Sequence, residues 1–100
     1  MRHVTAKMKR YELHYTKQAL KDWERIRKSE IPNLSARVDF IIRIIRRDPF
    51  SKIPQFMRLT GEFKGYVLCA RKLTPSHLLI YQVLEDDAAI KILSMWDNSN

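Results

Sequence analysis

Residues 77–84 read His-Leu-Leu-Ile-Tyr-Gln-Val-Leu, an almost unbroken apolar run rich in strand-forming types. Thr74-Pro75-Ser76 precedes it and Glu85-Asp86-Asp87 follows it. Neither connector is long enough for a crossover, so both neighbouring strands must run antiparallel to this one. The neighbours are Tyr66–Leu73 and Ala88–Met95, both apolar-rich. Continuous apolarity predicts a central strand, covered on both faces. The chain is therefore committed to an antiparallel meander near its C-terminal side.

The other half has a different period. "RYELHYT" alternates, with Tyr11, Leu13 and Tyr15 on one side and Glu12 and His14 on the other, which predicts a strand. Thr16 then caps a helix running to about Ser29, with Ala19, Leu20, Trp23 and Ile26 on its apolar stripe. A second helix follows, capped by Asn33 or Ser35. Leu34, Val38, Ile41, Ile42 and Ile45 form its apolar face, and Asp48-Pro49 ends it. A short extended piece is expected at Gln55–Leu59 and a turn at Thr60-Gly61. Helices grouped before an antiparallel sheet indicate an α+β fold: two helices on one face of a twisted antiparallel sheet of about four strands.

With 100 residues the chain holds one domain. It divides into a basic leader (1–9), the domain (10–97) and a short tail (98–100). Two glycines, Gly61 and Gly65, cannot build a glycine-rich phosphate loop. The single cysteine, Cys69, precludes an internal disulfide or a Cys-based zinc site, and a lone thiol in an apolar run fits a reducing cytoplasm. The basic start has no apolar signal core, and no stretch is long and apolar enough to span a membrane. The formal charge is +8, from 19 Lys/Arg against 11 Asp/Glu, and 13 of the cations lie in residues 1–50. That balance favours a polyanionic partner, although a solvated helical surface also accounts for it. Arg43, Arg46 and Arg47 crowd the end of the second helix, where they suit its dipole or an RNA backbone.

Five segments in this order resemble the RelE/ParE toxin superfamily, and within it the Txe/YoeB group. They are "ALKDWERI", "IIRIIRRDPF", "IPQFMRLTGEFKGY", "ARKLTPSHLLIY" and "IKILSMW", together spanning roughly residues 10–97. The resemblance implies a RelE-like fold and a toxin of a type II toxin–antitoxin system. It also implies a ribosome-dependent endoribonuclease that cuts messenger RNA and inhibits translation, without metal or other cofactor. The implied partners are a cognate antitoxin and messenger RNA on the ribosome, in the cytoplasm and away from membranes. The oligomeric state stays open, a homodimer included.

Such cleavage needs a base for the 2′-hydroxyl, an acid for the leaving 5′-oxygen and cations for the phosphorane. The matching positions have partly changed type. The family's loop glutamate, taken as base, aligns with Gln55, a neutral amide. The arginine after the signature histidine aligns with Leu78. The terminal His-Tyr pair aligns with Trp96 and Asp97. Arg71 and Lys72 match an Arg-Arg pair, His77 the signature histidine and Tyr81 the strand tyrosine, while Arg58 lies beside the loop. A relocated catalytic set of Arg58, Arg71, His77 and Asp97 is thus expected, with Asp97 or His77 as base and Arg71 on the phosphate. Lys72, Arg46, Arg47, Gln55 and Trp96 are the expected RNA contacts, Trp96 by stacking on a base.

Each position also has a plain structural reading. His77 can be a turn residue, Tyr81 and Cys69 core, Trp96 a helix-packing residue, and one of Arg71 and Lys72 must point inward. The substituted positions keep a second function open: a module of the same fold that binds antitoxin, RNA or another protein without cleaving. An unrelated basic α+β domain is the third.

Overall fold

The computed structural model describes residues 10–52, 55–59 and 66–97. The basic leader, the Thr60-Gly61 turn and the tail expected from the sequence lie outside the described residues. Strand β1 (Glu12–Tyr15) leads into helices α1 (Lys17–Lys28) and α2 (Leu34–Arg47). Strands β2 (Phe56–Arg58), β3 (Val67–Thr74), β4 (His77–Leu84) and β5 (Ala89–Asp97) follow, with a 3₁₀ turn at Glu85–Asp87 before β5. No helix is long and apolar enough to cross a membrane among the described residues.

The sheet has five strands in the order β1-β5-β4-β3-β2, so β4 is central as its composition requires. β2 to β5 form the expected antiparallel meander. The sheet is nevertheless mixed, not wholly antiparallel, because β1 joins the free edge of β5 in parallel, from Glu12↔Ala89 to Tyr15↔Ile92. Alternation reveals that β1 is a strand but not its direction. The direction follows from the path: the two helices carry the chain across one sheet face to the opposite edge, where β2 begins.

Among the described residues, the helices cover only that face. Leu79, Tyr81 and Val83 of β4 are buried under the helices, whereas Leu78, Ile80, Gln82 and Leu84 on the other face are half-buried. The expectation that β4 is enclosed on both sides therefore fails, since one helical layer cannot cover two faces. Val38, Ile41 and Ile45 of α2 and Ala19 and Ile26 of α1 pack on Cys69, Leu73, Tyr81, Ile90, Ile92 and Met95. The α1 stripe is rotated from the expected one. Leu20 is 54% exposed, and Asp22, at 3%, takes the inward place.

Thr16 caps α1 as its type predicts. Its hydroxyl oxygen accepts from the Ala19 amide at 3.0 Å, and the same hydroxyl donates to the Leu93 carbonyl at 2.9 Å. Thr16→Ala removes both bonds and is expected to lower stability by about 1–2 kcal/mol, read as a shift in the urea midpoint. Asn33 occupies the α2 N-cap at φ 62 but makes no side-chain cap bond, so its role is to accept a left-handed backbone.

Candidate nucleic-acid interface

Strand register gathers several expected residues at one end of the sheet. Lys72 of β3 pairs with Leu78 of β4, and Leu78 pairs with Asp97 of β5. Thr74 pairs with His77 across the turn. Thr74 Oγ1 accepts from the Ser76 amide at 3.0 Å and lies 2.7 Å from His77 Nδ1. The turn thus fixes the imidazole by one nitrogen and leaves Nε2 as the atom that can trade a proton with a ligand.

The His77 ring meets Trp96 edge-on, with centroids 4.5 Å apart and planes at 75°. Arg25 of α1 stacks on the same indole, its Cζ 4.2 Å from the ring centroid. The half-buried indole is held from behind. Asp22 Oδ2 accepts from the Met95 and Trp96 amides at 2.9 and 3.3 Å, and Asp22 Oδ1 accepts from Gln18 Nε2 at 2.9 Å. One buried carboxylate therefore ties the end of β5 to α1 and sets where Trp96 stands.

Arg71 does not share this site. Strand alternation splits the Arg71-Lys72 pair, with Lys72 exposed and Arg71 at 0% exposure. Arg71 Nε donates to the Tyr81 hydroxyl at 3.0 Å and its terminal nitrogen to the Pro49 carbonyl at 3.1 Å. Tyr81 donates to that same carbonyl at 2.7 Å, and the guanidinium lies 4.9 Å from the Phe56 ring centroid. The expected phosphate contact by Arg71 is corrected accordingly: the guanidinium is fully buried and at least two of its donors are directed at groups inside the fold. Burial pushes the Tyr81 hydroxyl well above the usual phenol range, so it stays a neutral donor. Burial also raises the Cys69 thiol, in keeping with an inert core residue.

The other expected residues are dispersed. Arg58 pairs with Cys69, five residues before Thr74, or about 17 Å along the strand. It and His77 cannot hold one phosphate in this arrangement. Gln55 is exposed beside β2 at φ 49. Arg46 Nε donates to the Tyr11 carbonyl at 3.2 Å, and the Tyr11 amide donates to the Arg46 carbonyl at 2.9 Å, so Arg46 joins α2 to the start of β1. That start lies level with Ala89, roughly 23 Å along β5 from Trp96. Arg47 is there too, lining a groove of about 430 Å³ with Arg10, Asp39, Phe40 and Arg43. Arg46 and Arg47 are therefore remote from the His77 end.

Sequence reasoning missed Asp22, Thr74 and Arg25. Asp22 had a signal, an acid three residues after Ala19 and four before Ile26, on the apolar stripe. Thr74 had only its place in the turn. Arg25 had none, being one of several cations on exposed faces of α1.

The sequence matches no family model and no curated relative. Solved structures do resemble the fold. The archaeal RelE–RelB complex from Pyrococcus horikoshii matches at TM-score 0.74 and 20% identity, covering 92% of this chain and 99% of that one. The YoeB dimer from Staphylococcus aureus matches at 0.69 and 24%, covering 88% and 97%. The E. coli DinJ–YafQ toxin–antitoxin complex matches at 0.67 and 15%, covering 89% and 93%. The chain thus has the fold of these RelE, YoeB and YafQ structures.

Proposed function

We propose that this chain is the toxin of a type II toxin–antitoxin pair and that it cleaves messenger RNA on the ribosome. The observation that carries the reading is the imidazole of His77 set against the half-buried indole of Trp96, at one end of an open RelE-like sheet. An indole can stack a splayed base, and an imidazole beside it can exchange the proton that RNA cleavage requires. The charge balance of +8 supports a polyanionic target, and the antitoxin complexes among structures of this fold support an antitoxin as second partner.

In the reaction, the 2′-oxygen bonds to the adjacent phosphorus, and the bond from phosphorus to the next 5′-oxygen breaks. A base takes the 2′ proton, an acid protonates the departing 5′-oxygen, and a 2′,3′-cyclic phosphate remains. His77 Nε2 takes one proton-transfer role. Asp97 and exposed Lys72, whose backbones pair with Leu78 from either side, lie at the same end of the sheet.

A second reading has its own support. Leu78 and Gln55 offer no proton transfer, and Arg71 is buried, which suits a binding module that cleaves nothing. Induced expression separates the two. Growth arrest with new messenger 5′ ends inside codons at the ribosomal A site is expected. His77→Ala should reduce the cuts about 100-fold or more. Arrest with intact message would establish the binding module, and no arrest would remove both.

A further inference from the structure

We infer that Arg25, on α1, is the cation that binds the RNA phosphate at the His77–Trp96 end, forming with Trp96 a one-nucleotide subsite. The inference rests on the RNA reading proposed for this chain. Arg71 is buried, the residue after His77 is the apolar Leu78, and Lys72 shares the open face with Leu78, while His77 is one residue out of phase. A cation in contact with the His77–Trp96 pair is supplied by neither β3 nor β4. Arg25 supplies it from the helix layer, 4.2 Å from the indole centroid.

The way Arg25 is held suits phosphate. Stacking uses the face of a guanidinium and leaves its N–H groups in the plane, pointing outward. Among the described residues no ion pair engages Arg25, although Lys28 and Glu24 pair at 3.5 Å on the same helix. The planar fork is pre-organised by Trp96, exposed, and spent on no carboxylate, which is the arrangement that takes a phosphodiester bidentately. Trp96 is in turn fixed by Asp22, one helical turn before Arg25, so helix and strand are locked in register where the subsite forms.

A matched control exists in the same helix. Arg27 stacks on Trp23 at 4.7 Å, another exposed cation on an indole, but no contact joins that pair to His77 among the described residues. Arg25→Ala and Arg27→Ala remove the same charge and the same kind of contact.

The experiment is fluorescence anisotropy of a labelled single-stranded RNA 12-mer against the full chain over a range of salt concentrations. Wild type should bind with a negative slope of log affinity against log salt. Arg25→Ala should bind about 10-fold more weakly and flatten the slope by about 0.7, the loss of one single-strand phosphate contact. Arg25→Lys should retain the slope but not the full affinity, and Arg27→Ala should match wild type. Unfolding midpoints confirm that both alanine variants are folded. Equal losses in Arg25→Ala and Arg27→Ala, or an unchanged slope in Arg25→Ala, overturn the subsite and leave the RNA reading standing. No RNA binding by wild type overturns the subsite, while the ribosome-dependent reading stands or falls on the messenger 5′ ends.

Discussion

Arg71→Ala is expected to lower the unfolding free energy by about 3–5 kcal/mol, a large part of what a domain of this size possesses. The guanidinium is fully buried and serves two acceptors at once, the Tyr81 hydroxyl and the Pro49 carbonyl. Removing it strips a hydrogen bond from both and opens a cavity beside Phe56. Pro49 lies just beyond the C-terminus of α2, so the same loss frees the helix end from the sheet. Arg71→Lys should recover only part, since an ammonium cannot reproduce the planar fork that spans the two oxygens. Urea unfolding of purified variants checks both values, and a midpoint for Arg71→Ala close to wild type would refute the structural role. The practical consequence concerns assays in cells. A silent Arg71→Ala chain would report lost protein, not lost chemistry, and His77 and Arg25 are the informative positions.

Asp22→Ala should cost about 3 kcal/mol. Its carboxylate, 3% exposed, satisfies the consecutive amides of Met95 and Trp96, and leaving buried N–H groups unpaired costs about 1–3 kcal/mol each. Asp22→Asn keeps one oxygen but presents a donor where an acceptor is needed, so an intermediate loss is expected. Hydrogen exchange gives the sharper measurement. The Met95 and Trp96 amides should lose protection far beyond the global change, because they lose their acceptor directly. Uniform loss along all of β5 would show instead that Asp22 contributes only general stability. On the RNA reading, the variant should also weaken RNA binding, since Trp96 would no longer be held against Arg25.

The elements were legible because their periods differ. Alternation marks β1, the i, i+3, i+4 spacing marks α2, and two short connectors dictate the meander. Alternation also required that Arg71 and Lys72 part ways. It could not say which faces inward, because that depends on the register with Tyr81 and on where Pro49 arrives, a contact 22 residues distant. The same limit hid the parallel pairing of β1, which depends on the path of the whole chain. Leu20 was misplaced because hydropathy alone ranks it above Asp22, whereas two unpaired amides at the end of β5 make the carboxylate the better inward residue. Arg25 illustrates the remainder. A helix surface rich in cations offers no local sign of which one meets a tryptophan from a distant strand.

The tie between Thr16 and Leu93 spans 77 residues, and those from Asp22 to Met95 and Trp96 span 73 and 74. During synthesis, then, β1 and α1 emerge long before the strand that completes them. The edge that β5 will fill stays open, and the indole that Arg25 stacks on has not been made. A growing chain can have its helices and the β2–β4 meander and still lack the His77–Trp96 end altogether. On the RNA reading, an incomplete chain would therefore lack the His77–Trp96 end, and with it the proposed site, until β5 is delivered.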